Sequence, residues 1–168
     1  MAQEPQVESE SLSRPEFVVG QVRLQPTSPF TFFRVGDETT RAEADTALDA
    51  LMEDLSRAVE SEGLAGPGPV VLVCQSRGEE LYLEAGYAVQ PEVAPASSAR
   101  VRTVPGAPCA SLLYWGSLRH YPKAHEALWQ GIQQAGLTYG NELREWYLHF
   151  EGDDSPNNVI LLQYVLSD

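Results

Sequence analysis

The sequence predicts an α+β fold in which a β-α-β-β module occurs twice, as antiparallel sheets backed by two helices around a pseudo-twofold axis with a central ligand groove. Three observations carry that expectation. Residues 39–58 and 121–135 repeat apolar residues at helical spacing, whereas most other apolar residues lie in short alternating runs. Each helical segment stands in the middle of the same series: strand, strand, helix, strand, strand. Finally, PEVAPASSAR at residues 91–100 is rich in Pro, Ala and Ser, lacks periodic apolar residues, and separates one series from the next.

Taken in order, residues 1–14, MAQEPQVESESLSR, are acidic and polar, so a disordered tail is expected ahead of a single domain over 15–168. FVVGQVRL at 17–24 reads as a strand, with Gly20 marking a bulge or bend. Pro26 turns the chain, and a second strand over 30–35 runs into Gly36. In the first helix Thr40 and Glu43 have capping-box spacing, which would satisfy two free backbone donors. Ala44, Leu48, Leu51, Met52, Leu55 and Val59 form its apolar stripe, with Asp45 and Asp49 turned to water. Gly63 ends the helix, GPGP at 66–69 turns the chain, and strands over 70–75 and 80–89 follow. Beyond the connector the spacing gives strands over 101–104 and 107–115. The second helix has Pro122 in its first turn, where a missing N–H costs nothing, and a stripe of Ala124, Leu128, Ile132 and Ala135. NELREWYLHF at 141–150 and the segment 159–166 complete the set, joined by the turn-forming EGDDSPNN.

The two halves, about 15–90 and 100–168, align in outline. PFTFFRVG from Pro29 lies over CASLLYWG from Cys109, Gly63-Leu64 over Gly136-Leu137, and GYAV from Gly86 over QYVL from Gln163. A duplicated module would leave a groove between its halves, and such clefts are usual ligand sites.

The groove's chemistry is expected from NELREWYLHF. Side chains alternate along a strand, so Leu143, Glu145, Tyr147 and His149 share one face and Arg144, Trp146, Leu148 and Phe150 the other. The second set is the more apolar and is expected to cover a core, which leaves a carboxylate beside a phenol on the opposite side. A solvated outer face would give the same alternation. With one residue of gap, Val71 and Val73 take the places of Glu145 and Tyr147 in the first half. Only one half is then acidic, and the expected ligand is asymmetric, with a polar or cationic point on a flat, greasy body. Trp115, Tyr114, Phe32 and Tyr87 are candidate stacking partners and His149 a rim group, with ordinary core the competing reading for Phe32 and Tyr87.

Composition narrows the partners. Eleven basic against 24 acidic residues give a formal charge of −13, which argues against direct nucleic-acid binding. No apolar run reaches membrane-spanning length and no leader pattern opens the chain, so a soluble cytoplasmic protein is expected. Cys74 and Cys109 match no metal or redox spacing and read as small buried hydrophobes. His120 and His125 lack further ligands and read as surface histidines. Ser111 and Ser117 lack the glycine-flanked elbow of a serine hydrolase, and EGDDSPNN is too loose for a calcium loop. No metal and no cofactor are expected.

Several segments together carry a resemblance: YWGSLRHYPKAHEALWQGI from Tyr114, GLTYGNELREWYL from Gly136, QYVL near the end and GYAV in the first half. From Phe17 onward the chain resembles the GyrI-like small-molecule-binding domain family, also found as the effector-binding domain of AraC- and MerR-type regulators. The resemblance implies a pseudo-symmetric fold with a central groove, in which the acid of an E-x-Y strand, here Glu145 and Tyr147, contacts aromatic, often cationic ligands. Leu118 stands where the family commonly has an aromatic, Leu161 where a second acid often sits and Val165 where a proline is frequent. No DNA-binding helical region precedes the domain in the given sequence, which puts a regulator's role in doubt. The resemblance implies sequestration or sensing of a bulky planar hydrophobic or cationic small molecule. The alternative is a hydrolase that opens the cyclopropane of DNA-alkylating natural products, Glu145 activating water and Tyr147 assisting. A gyrase-shielding role, suggested by the family's name, has only the net charge in its favour.

Overall fold

Alternating apolar runs and two amphipathic helices leave one arrangement open, a sheet with its helices on one face. The computed structural model describes residues 15–64, 68–92 and 98–167. The expected tail at 1–14, the centre of the 91–100 connector and part of the GPGP turn lie outside the described residues. The strands are β1 Phe17–Val19, β2 Arg23–Pro26, β3 Phe30–Thr40, β4 Val70–Arg77, β5 Glu80–Val89, β6 Val101–Val104, β7 Pro108–Gly116, β8 Tyr139–His149 and β9 Val159–Leu166. Helix α1 is Ala44–Glu62 and helix α2 is Pro122–Gln134.

All strand pairs are antiparallel, in the order β1-β7-β9-β8-β4-β5-β3-β6, with β2 also on β7. Read outward from the central β4·β8 pair, β4-β5-β3-β6 mirrors β8-β9-β7-β2, so the duplication is written in the topology. Two helix-sheet cores follow. Leu51, Leu55 and Ala58 of α1 pack on Phe33, Val35 and Ala85, and Ala124, Leu128 and Ile132 of α2 on Ala110, Leu112, Ile160 and Leu162. A third cluster of Phe32, Val71, Val73 and Val104 fills the opposite face, with Phe30 and Trp146 against it. β3 and β8 are three strand spacings apart, about 14 Å in a flat sheet, yet the Phe30 and Trp146 rings meet at 4.7 Å. Among the described residues no helix is long and apolar enough to cross a membrane.

Several local expectations change. Residues 17–24 form two strands, broken where Gly20 N–H donates to Leu113 O at 2.7 Å, and Pro26 lies inside β2. β3 runs on to Thr40, which pairs with Glu80, so the first helix starts at Ala44 after a 3₁₀ turn. The Thr40–Glu43 capping box does not form, because the sheet holds Thr40 and neither residue makes a side-chain cap bond. Gly63 does end α1, in the left-handed conformation. The alignment of GYAV with QYVL keeps its phase, Tyr87 and Tyr164 both facing a helix. That of PFTFFRVG with CASLLYWG does not. It sets Phe33, which faces α1, over Leu113, whereas Ala110 and Leu112 are the β7 residues that face α2. Of the apolar row on β8 only Trp146 joins a core; Leu148 and Phe150 are exposed.

Candidate functional site

The β4·β8 register decides what the groove contains. Leu72 pairs with Glu145, Val70 with Tyr147 and Cys74 with Leu143, and directly paired residues share a face. That is the helix face, where α1 and α2 leave the central pair uncovered between them. Leu72 is thus Glu145's neighbour and its counterpart in the other half.

Glu145 has 16% of its side chain exposed. Tyr147 Oη donates to its Oε2 at 3.2 Å. His125 Nε2 lies 3.6 Å from Oε1, and the ring's Nδ1 is 3.2 Å from Tyr164 Oη. The hydroxyl of Tyr121 is buried and meets no hydrogen-bond partner among the described residues, and Glu145 is the charge that acts on it most. Tyr121, His125 and Trp129 recur every four residues at the start and along one side of α2 and form a row of edge-on and tilted rings, with centroids 4.9 and 6.1 Å apart. Trp129 and Tyr139 flank Tyr164 at 6.1 and 5.8 Å, extending an aromatic wall to the surface.

Burial, with the Glu145 charge second, pushes the phenols of Tyr121 and Tyr147 far above their ordinary range. Burial pushes Tyr164 up to about 12, with the nearby Trp129 indole opposing and Glu145 adding. Burial and then Glu145 also push up the Cys74 thiol. These phenols stay neutral, so they can offer protons in hydrogen bonds to the carboxylate or to a ligand.

Two connected cavities, of 260 and 180 Å³, share Leu48 and Leu72 and line the groove. Their walls include Met52, Leu118, Tyr147 and Phe150 at one end and Leu143, Cys74 and Glu145 at the other. Among the described residues the charged side chains turned into them are carboxylates, Asp49 and Asp153 in the first and Asp45 and Glu145 in the second, whereas Glu84, which also borders the second, turns its carboxylate to Arg102 on the opposite face. A larger cavity of about 1020 Å³ opens on the other side of α1, beside Arg57 and Arg100, and contains none of these groups.

The predicted site residues divide. Glu145, Tyr147 and Leu143 come together on the groove floor. Val71 and Val73 do not: they pair with Trp146 and Arg144 and are buried on the opposite face, as is Phe32. The physical reason is the strand's two-residue period, by which a one-residue gap exchanges the faces. Tyr114 is core beneath α2, its hydroxyl donating to Ser117 O, and Tyr87 is core beneath α1. Trp115 is exposed beside Val18 on the β1 edge, alternating away from the helix face. His149 lies past an irregularity in the β8·β9 register and pairs with exposed Glu151 at 3.2 Å. Leu118 lines the groove, whereas Leu161 pairs with Trp146 and faces away. Sequence reasoning missed Tyr121, Tyr164 and His125, the last read as a surface residue. The four-residue recurrence of Tyr121, His125 and Trp129 is the signal that would have found two of them.

No family model and no curated protein sequence matches the chain. Solved structures do. The C-terminal domain of EcmrR is 13% identical at a TM-score of 0.63, over 89% of this chain and 98% of that one. SAV2435 bound to tetraphenylphosphonium is 10% identical at 0.62, over 88% and 94%. A hydrolase encoded by lin2189 from Listeria innocua is 12% identical at 0.55, over 88% and 92%. In the EcmrR–DNA complex the match spans 58% of the EcmrR chain. At such identities the likeness is one of fold.

Proposed function

We propose that this chain, whose fold is the GyrI-like one, binds a bulky hydrophobic cation in the groove between α1 and α2, with Glu145 meeting the positive charge. The observation that carries this reading is the lining itself: an apolar floor and walls, aromatic edges, and carboxylates as the charged groups. A half-buried carboxylate attracts a cation more strongly than an exposed one because less water lies between them. Tyr147, Phe150 and the Trp129 wall offer ring faces to the same charge. The structural neighbour bound to tetraphenylphosphonium supports a lipophilic cation as the ligand class.

In a competition titration of tetraphenylphosphonium against a fluorescent cationic dye, Glu145→Gln should raise the Kd about tenfold or more while leaving the thermal midpoint within a few degrees. Equal affinity in the variant would remove Glu145 from the site.

One feature favours a second reading, hydrolysis. The buried Tyr121 hydroxyl beside Glu145 adds a second phenol donor next to a carboxylate base. With a cyclopropane-bearing alkylator, Glu145 would take a proton from water as its oxygen attacks a ring carbon. The ring C–C bond breaks and its electrons pass to the conjugated carbonyl, whose oxygen accepts hydrogen bonds from the phenols. Mass spectrometry separates the readings: water added to more than one equivalent of alkylator per protein means turnover, and recovery of unchanged compound means binding alone.

A further inference from the structure

The face of the sheet turned away from both helices carries a polar cavity of about 380 Å³ lined by Arg34, Gln75, Arg77, Tyr82, Glu84 and Arg102. Its side chains are tightly arranged. Glu84 is 2% exposed and accepts both arms of Arg102, while Arg34 Nε lies 3.1 Å from its Oε2. Arg34 Nη1 donates to Tyr82 Oη at 3.2 Å, and Arg77 lies over the Tyr82 ring at 4.9 Å. Two glycines clear the space. A Cβ at Gly36 would fall 2.6 Å from Tyr82 Oη, and one at Gly86 would fall 2.9 Å from Arg34 Cβ.

The charges in this cavity do not balance. Three guanidiniums line a cavity with one buried carboxylate, Glu84, whose two oxygens Arg102 already holds, and the other nearby acids are exposed Glu38 beside Arg77 and Glu142, which accepts from Gln75 at 2.9 Å. Arg34 Nε is buried, and its approach to the shared Oε2 is too poorly directed to count as a hydrogen bond. Among the described residues Arg77 donates to Gln75 Oε1 and exposed Glu38 alone, each at 3.5 Å, the outer limit of a hydrogen bond. Five N–H donors per guanidinium leave most of the set unspent. A concentration of positive charge also runs against a chain of formal charge −13. More distant carboxylates are screened over about 8–10 Å at physiological salt, so the local arginines set the potential in the cavity.

The geometry points to a second ligand site here, for an oxyanion of the carboxylate or phosphoryl type held by Arg77 with Arg34 and Arg102. Guanidinium forks match both groups with paired, charge-assisted hydrogen bonds. The site is independent of the cation groove: along β4 and β5, Gln75 and Glu84 point to one face while Cys74 and Leu83 point to the other.

The test follows the side-chain Nε–Hε signals of Arg34, Arg77 and Arg102 in ¹⁵N spectra. Inorganic phosphate and succinate are added separately, at ionic strength matched with chloride. The expected result is a saturable shift of these signals, weakened about tenfold in Arg77→Gln and unchanged in Glu145→Gln. Arg77 is exposed, so its variant should keep the wild-type thermal midpoint. Saturation by phosphate alone assigns a phosphoryl ligand, by succinate alone a carboxylate, and by both the shared oxyanion. Shifts that chloride reproduces, or saturation that Arg77→Gln leaves unchanged, would overturn the assignment.

Discussion

At the residue scale, Glu145 adds to the effect of burial on the protonation of its surroundings. Burial, with the Glu145 charge adding to it, raises the phenols of Tyr121, Tyr147 and Tyr164 and keeps them neutral. A phenol in the unfolded chain ionises near pH 10, whereas Tyr164 is pushed up to about 12 in the fold. The folded state holds that proton more tightly, so the stabilisation is complete below about pH 10 and is lost as pH climbs towards 12. Tyr121 and Tyr147 act with the same sign. Denaturation midpoints measured from about pH 9 to 11.5 should fall, and Tyr164→Phe should make the fall shallower; a flat profile would uncouple the phenols from the fold. Glu145→Gln removes one cause of the shift, so tyrosinate absorbance should appear at lower pH in that variant. Glu145 was legible in the sequence because an acid and a phenol two apart in an apolar strand break the pattern. His125 was not, because a histidine on a helix looks the same whether it faces water or a carboxylate from a distant strand.

At the element scale, α1 divides its apolar stripe between two tasks. Leu55 is fully buried against the sheet, while Leu48 and Met52 form the groove wall. Leu55→Ala should cost about 2–5 kcal/mol by opening a core cavity, read as a lower urea midpoint. Met52→Ala should cost less than half as much and instead weaken cation binding severalfold. Similar losses of stability from the two would mean that the groove wall is ordinary core. Helical periodicity located α1 and its apolar residues, but an apolar stripe does not say which of its members meet solvent in a cleft. The same limit explains the error on β4. VVLVC is apolar on both faces, so nothing in it fixes the phase, and a single gap placed Val71 and Val73 where Leu72 and Cys74 stand. On β8 the two-residue spacing of Glu145 and Tyr147 puts both on one face wherever the gap falls.

At the scale of the whole molecule, a net charge of −13 and a groove of carboxylates offer two different ways of attracting a cation. Exposed charge acts at long range and is screened once the Debye length falls to about 10 Å near 0.1 M salt. The partly buried Glu145 acts at contact and is screened far less. If the groove is the binding site, affinity for tetraphenylphosphonium should fall as salt rises to about 0.15 M and then level off. Association rate should carry most of the early fall, because steering works on encounter rather than on residence. Glu145→Gln should lower the plateau and keep the early slope, since the rim acids Asp45, Asp49 and Asp153 remain. An affinity that continued to fall with salt up to about 1 M, equally in both proteins, would place the cation on the acidic surface instead of in the groove.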